Sequence, residues 1–163
     1  MVPMPGGDSH LLKFLGERLQ TIPTRTYAAG ERVLEAGSTS GKLVFLKSGE
    51  LGVMRGGVSI TRVREPGAVF GEMSLLLEGP HTADVVAITP SICHIVEDAR
   101  DFLLASPEMT AYVAAVLAHR LDAVTRYLVD VKSQFADAGN HLGMIDEVLE
   151  TVMTRHPRAM RAR

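Results

Sequence analysis

The chain is 163 residues long, with 46% hydrophobic and 22% charged residues, which is enough for one domain with a real core and too short for two comfortable ones. No uninterrupted apolar run approaches the roughly 18 residues of a membrane span, and the start MVPMPGGDSH has no basic region ahead of an apolar stretch, so a soluble protein of the cytoplasm is expected. A net charge of -2 gives no general drive toward nucleic acid or anionic membrane, and Cys93, the only cysteine, rules out an internal disulfide or a cysteine-built metal site within one chain.

In chain order, residues 1–25 read as an N-terminal segment with one short helix. Leu11, Leu12, Leu15 and Leu19 recur at helical spacing behind Ser9 as its cap. Residues 26–100 change character: runs such as KLVFLKSG, ELGVM, VSITRV and ADVVAI are punctuated by glycines, the pattern of short strands with frequent turns. Gly56-Gly57 between two such runs is a hairpin signal, because paired glycines take the positive φ angles of a type I′ turn. Phe70-Gly71-Glu72 reads as a tight turn feeding a short helix, Gly79-Pro80 stops that helix, and Thr82 to Ala87 alternates into a strand. No segment between turns is long enough for crossover helices, so an antiparallel sandwich or roll is expected.

Residues 101–136 turn helical. After a brief element at Asp101 to Ala105, Ser106 and Pro107 read as the cap and first residue of a helix that runs to Phe135. Leu117, Leu121, Val124, Leu128, Val131 and Phe135 recur at spacings of 4, 3, 4, 3 and 4, a heptad seam. It reads either as a stripe packed on its own domain or as a helix pair across a homodimer through residues 117–135. In residues 137–163, Ala138-Gly139-Asn140 breaks the helix, and Met144, Ile145, Val148, Leu149, Val152 and Met153 mark one more amphipathic helix. The basic tail RHPRAMRAR is a solvated end or a contact to nucleic acid or an acidic partner.

The stretch FGEMSLLLEGPHTADVVA, residues 70–87, has its own chemistry. A helix beginning near Gly71 leaves its first amide N–H groups without intrahelical partners, and an anion placed there satisfies them and meets the positive end of the helix dipole. With YAAGERVLEAGS and KLVFLKSGEL ahead of this stretch and the long helix behind it, the chain resembles the cyclic nucleotide-binding domain family over residues 26 to about 135. The resemblance implies a mainly β fold, an antiparallel jelly-roll-like β-roll flanked by an N-terminal helix and C-terminal helices that include a long dimerisation helix. It implies that residues 70–87 are the phosphate-binding cassette, with Gly71, Met73 and Ser74 at the ligand and Glu72 accepting a hydrogen bond from the ribose 2′-hydroxyl. Glu72 has a plainer reading as an acid favoured by the helix dipole, and Leu75-Leu76 are expected to anchor the cassette to the core.

Where the family carries an arginine that grips the cyclic phosphate, this chain has His81. An imidazole with a pKa near 6.5 is only about one quarter protonated at pH 7 and cannot fork, so a loss of about ten- to a hundredfold in affinity is expected. Thr82 adds a hydroxyl beside the phosphate or serves as a strand residue, and Thr125 on the long helix matches the position that reaches the purine in the family or is a solvated helix hydroxyl. The resemblance therefore implies a regulatory module, without a cofactor, that senses cAMP or cGMP and signals to a separate, unknown partner. The alternative is a degenerate dimeric scaffold that binds another anion or nothing.

Transcription factors of the family continue into a winged helix-turn-helix, but only 28 residues follow Phe135, so no specific DNA binding is expected. Nor is an enzyme expected: Cys93-His94 sits on a strand whose successive side chains diverge, and no nucleophile, base and orienter set stands out.

Overall fold

The computed structural model describes residues 8–134 and 142–154. Helix α1 (Asp8–Leu19) begins ahead of Ser9, which is therefore its second residue and not its cap. Leu15 and Leu19 are buried, as their spacing requires. Short strands follow: β1 (Thr24–Tyr27), β2 (Arg32–Leu34), β3 (Leu43–Ser48), β4 (Leu51–Arg55), β5 (Val58–Val63) and β6 (Val69–Phe70). The five-residue helix α2 (Glu72–Leu76) then leads to β7 (Asp84–Ala87) and β8 (Ser91–Val96). Every strand pairing is antiparallel, in two four-stranded sheets of order β1-β8-β3-β6 and β2-β7-β4-β5. This is the expected β-roll with flanking helices.

Alternation decides what each sheet buries. Val44, Leu46, Cys93 and Ile95 of the first sheet meet Leu34, Leu51, Val85 and Ala87 of the second in one apolar cluster. The residues between them, Leu43, Phe45, His94 and Val96, point the other way and are buried too, as are the helical residues Leu15, Leu19, Leu103 and Met109. The first sheet is thus covered on both faces, which explains why LVFL and HIV read as continuous apolar runs. The second sheet ends in β5, which is exposed along most of its length. Its hairpin with β4 turns at Gly56 and Gly57 with φ of 57° and 79°, the positive angles their sequence required.

Two expectations need correction here. The strand expected from Thr82 begins at Asp84, because the backbone before it is claimed elsewhere. The Gly37 N–H donates to the His81 carbonyl at 2.8 Å and the His81 N–H donates to the Ser38 carbonyl at 2.8 Å, so the backbone of residue 81 is bonded to the β2–β3 loop and not to the sheet ladder. The brief element near Asp101 is helix α3 (Ala99–Leu104), two residues earlier than its sequence suggested.

Helix α4 (Pro107–Gln134) starts as the sequence dictates: the Ser106 hydroxyl accepts the Met109 N–H at 3.4 Å and Pro107 fills the first helical position. Phe135, the break at Ala138-Gly139-Asn140 and the basic tail from Arg155 lie outside the described residues. The chain divides into two compact units, Met1–Val113 and Ala114–Arg163. In the second, the seam residues Leu117, Leu128 and Val131 are half-buried while Leu121 and Val124 are 47% and 52% exposed. Helix α5 (Leu142–Thr154) half-buries Ile145, Leu149 and Val152, leaves Met144, Val148 and Met153 exposed, and is tied to α4 by an ion pair between Lys132 and Asp146.

Candidate functional site

The turn between β6 and α2 rests on Gly71, which has φ of 92° and serves as the N-cap of α2. A Cβ there would lie 2.4 Å from the Lys42 carbonyl oxygen, so no other residue keeps this turn. No side chain among the described residues caps the helix. Glu72 and Ser74 are buried at 3% and 8% exposure, and the Ser74 hydroxyl donates to the Gly79 carbonyl at 2.5 Å, closing the loop on itself. Met73 points outward at 45% exposure.

The anchoring expected of Leu75-Leu76 is met only in part. Leu75 is half-buried, but Leu76 is 51% exposed and Leu77 follows at 69%. Glu72, Ser74 and Leu75 already take the inward positions of so short a helix. The Leu77 N–H closes on the Met73 carbonyl at 2.9 Å, and the chain then turns along the surface at Glu78, whose carboxylate pairs with Arg100 at 2.9 Å.

His81 is 5% exposed, and its Nε2 lies 2.7 Å from the Ser40 hydroxyl. Its ring also sits beside Gly71, 3.6 Å from where a Cβ on that glycine would stand. Burial holds its pKa below the usual value, because charge is costly away from water. The imidazole here is a neutral hydrogen-bonding group and not a ready-made cation. Thr82 is exposed in the bend before β7, so its reading as a strand residue does not hold. Gly71, Glu72, Ser74 and His81 thus share one neighbourhood with Met73 and Thr82 on its surface, while half-buried Thr125 belongs to the second unit.

Local sequence gave no sign of the residues that back His81. Ser38, Ser40, Leu34, Arg32 and Lys42 line a cleft of about 410 Å³ on the β2–β3 side. Two of them are cationic, yet Arg32 pairs with Glu35 at 2.7 Å and lies 3.6 Å from Asp84, and Lys42 pairs with Glu97 at 2.9 Å. Two cations against three carboxylates leave no surplus positive charge to stand in for an arginine.

The site is thus a left-handed glycine that opens a short helix with a buried acid in its first turn. Residues 24–103 match the model of the cyclic nucleotide-binding domain. The chain belongs to the cyclic nucleotide-binding domain family. This cyclic nucleotide-binding domain is similar in fold to the Thermus thermophilus catabolite activator protein, with a TM-score of 0.61 and 21% identity over 91% of this chain and 83% of that one. It is also similar to the PKAR CBD2 bound to Sp-2Cl-cAMPS, with a TM-score of 0.56 and 17% identity over 75% of this chain and 83% of that one. In sequence it is 40% identical over 107 residues to Glutaminase 2 of Bradyrhizobium diazoefficiens, a match covering 61% of this chain and 17% of that protein.

The pair Cys93-His94 is divided by the first sheet. Cys93 lies in the core with burial pushing its thiol up to about 11, and His94 lies on the opposite face with Nδ1 3.1 Å from the Ile22 carbonyl. That separation follows from strand alternation and keeps thiol and imidazole from acting together.

Proposed function

We propose that this domain senses a cyclic nucleotide, cAMP or cGMP, in the cassette of residues 70–87 and passes the change to a separate partner protein as a cytoplasmic homodimer. The observation that carries the reading is Gly71. A left-handed N-cap packed on the Lys42 carbonyl leaves the first turn of α2 without a side-chain cap and open to an anion. In this reading Gly71, Met73 and Ser74 offer amides to the phosphate, Glu72 takes the ribose hydroxyl, Thr82 stands at the surface beside them and Thr125 meets the purine. The cAMP analogue held by the similar PKAR domain supports the ligand class. The stretch shared with a protein named as a glutaminase supports a catalytic protein as the downstream partner. Ligand binding shifts the domain between arrangements by no more than its difference in affinity for them.

A second reading, a scaffold that binds another anion or none, is favoured by His81, which is buried and held neutral. Calorimetric titration of the purified chain with cAMP and with cGMP separates the two. The sensing reading expects saturable binding of one of them, weakened in Glu72→Ala with the fold retained by circular dichroism. If neither wild-type nor a folded His81→Arg variant binds at pH 6, the scaffold reading replaces it.

A further inference from the structure

A second cleft, of about 500 Å³, lies on the other face of the first sheet, between the end of α1, β3 and the turn at Pro66-Gly67. Its volume falls in the range of small-molecule sites, and its walls are of the kind such sites use, mainly apolar with few polar groups. Leu19, Ile22 and Pro66 supply the apolar surface, and the backbone of Leu46 closes one side. His94, Lys47, Gln20 and Thr24 supply the polar groups.

His94 is 7% exposed, and its Nδ1 lies 3.1 Å from the Ile22 carbonyl. A carbonyl only accepts, so Nδ1 carries the proton and donates, which makes Nε2 of the neutral ring a bare acceptor. Nε2 has no partner among the described residues. It is not sealed in either: the one fully enclosed side-chain atom without a hydrogen bond among the described residues is Glu50 Oε1. A buried imidazole acceptor thus opens into the cleft. Lys47 is exposed and pairs with no carboxylate among the described residues, so its ammonium stands unneutralised at the rim.

From an acceptor at the floor, apolar walls and a cation at the rim, we propose that this cleft is a second ligand site, separate from the cassette, for a small ring-sized carboxylic acid bearing a hydroxyl donor. The hydroxyl donates to His94 Nε2, the ring lies against Leu19 and Ile22, and the carboxylate faces Lys47. This inference does not depend on the cassette binding a nucleotide.

The test uses three probes on the full chain with ¹⁵N-labelled histidine: 4-hydroxyphenylacetate, phenylacetate and the methyl ester of 4-hydroxyphenylacetate. The first should shift the His94 ring nitrogens saturably. Phenylacetate should bind roughly three- to tenfold more weakly, the worth of one hydrogen bond. Lys47→Ala, a surface change that spares the fold, should weaken the free acid roughly two- to fivefold and leave the ester unchanged. His94→Phe should abolish the preference for the hydroxylated acid if it folds, and the ring-nitrogen signal of the wild-type chain answers the question if it does not. The proposal falls if no probe moves the His94 signals at millimolar concentration, or if the free acid and its ester bind equally to wild-type.

Discussion

At the residue scale, Gly71 and His81 make opposite kinds of contribution. Gly71 is required by geometry: Gly71→Ala places a Cβ at a φ of 92° and 2.4 Å from the Lys42 carbonyl. Chemical denaturation should show a loss of about 2–3 kcal/mol; a loss within experimental error would mean that the turn relaxes and the packing argument is wrong. His81 contributes through its neutrality. Burial lowers its pKa from 6.5, so below that pH the unfolded chain takes up a proton that the folded chain resists. The stability tied to His81 is therefore fully present above pH 6.5 and declines as pH falls below it, toward the lowered folded value. Denaturation midpoints should drop on acidification, and His81→Gln, which cannot titrate but keeps a hydrogen-bonding group near Ser40, should flatten that drop.

Under the proposed sensing function, the same residue sets the pH response of binding. A bound phosphate favours imidazolium, so affinity should rise as pH falls; the rise should continue below pH 6.5, because the free site takes up its own proton only there. His81→Arg should raise affinity about ten- to a hundredfold near neutral pH and remove this dependence. Calorimetry of both proteins at several pH values decides it: a wild-type affinity that falls on acidification would reverse the expected sign and remove His81 from the phosphate.

At the scale of elements, α2 and α4 each carry apolar residues that their own domain leaves uncovered. Leu76 on α2 is 51% exposed, so Leu76→Ser should change stability by no more than about 0.5 kcal/mol, where a true anchor would cost several times as much. On α4, Leu121 and Val124 keep 47% and 52% of their surface exposed while half-buried Leu117 and Leu128 continue the same seam. A second copy of the helix covers such a stripe without any change of register. Leu121→Glu with Leu128→Glu would bring like charges together in that seam. Sedimentation should show dimers for wild-type and monomers for the double variant; a wild-type monomer at micromolar concentration would leave the seam an intrachain feature.

At the scale of the whole molecule, the first sheet carries most of the stability, because residues on both its faces leave water. Phe45 is fully buried on the helix side. Phe45→Ala should cost about 3–5 kcal/mol, a large part of the stability of a domain this size, and a loss below 1 kcal/mol by urea denaturation would contradict a sheet packed on both faces. Glu50 shows a different whole-fold effect. Its carboxylate is buried, with Oε2 3.0 Å from Arg64, and its backbone carbonyl accepts the Ile88 N–H at 2.8 Å, so one residue ties the β3–β4 turn both to the segment just after β5 and to the turn before β8.

What the sequence determined by itself was whatever a few neighbouring residues decide. Gly56-Gly57 fixes its hairpin, Ser106-Pro107 starts α4 and Gly71-Glu72 opens α2, because each signal is a local backbone preference or cap completed within one turn of chain. The alternation of LVFL and SICHIV likewise settled that Cys93 and His94 diverge. Matters that join distant residues were settled by packing across the fold. Ser40 meets His81 across 41 positions, and Ser38 takes the backbone of residue 81 out of the strand that its side-chain pattern suggested. Leu76 looks like core in a list of residues and is exposed because α2 is too short to turn it inward. The cleft beneath α1 has no motif at all: His94 and Lys47 come from β8 and β3, and their juxtaposition exists only because those strands pair. Side-chain type records what a position tolerates, whereas burial, and with it the charge state of a histidine, is set by what the rest of the chain places against it.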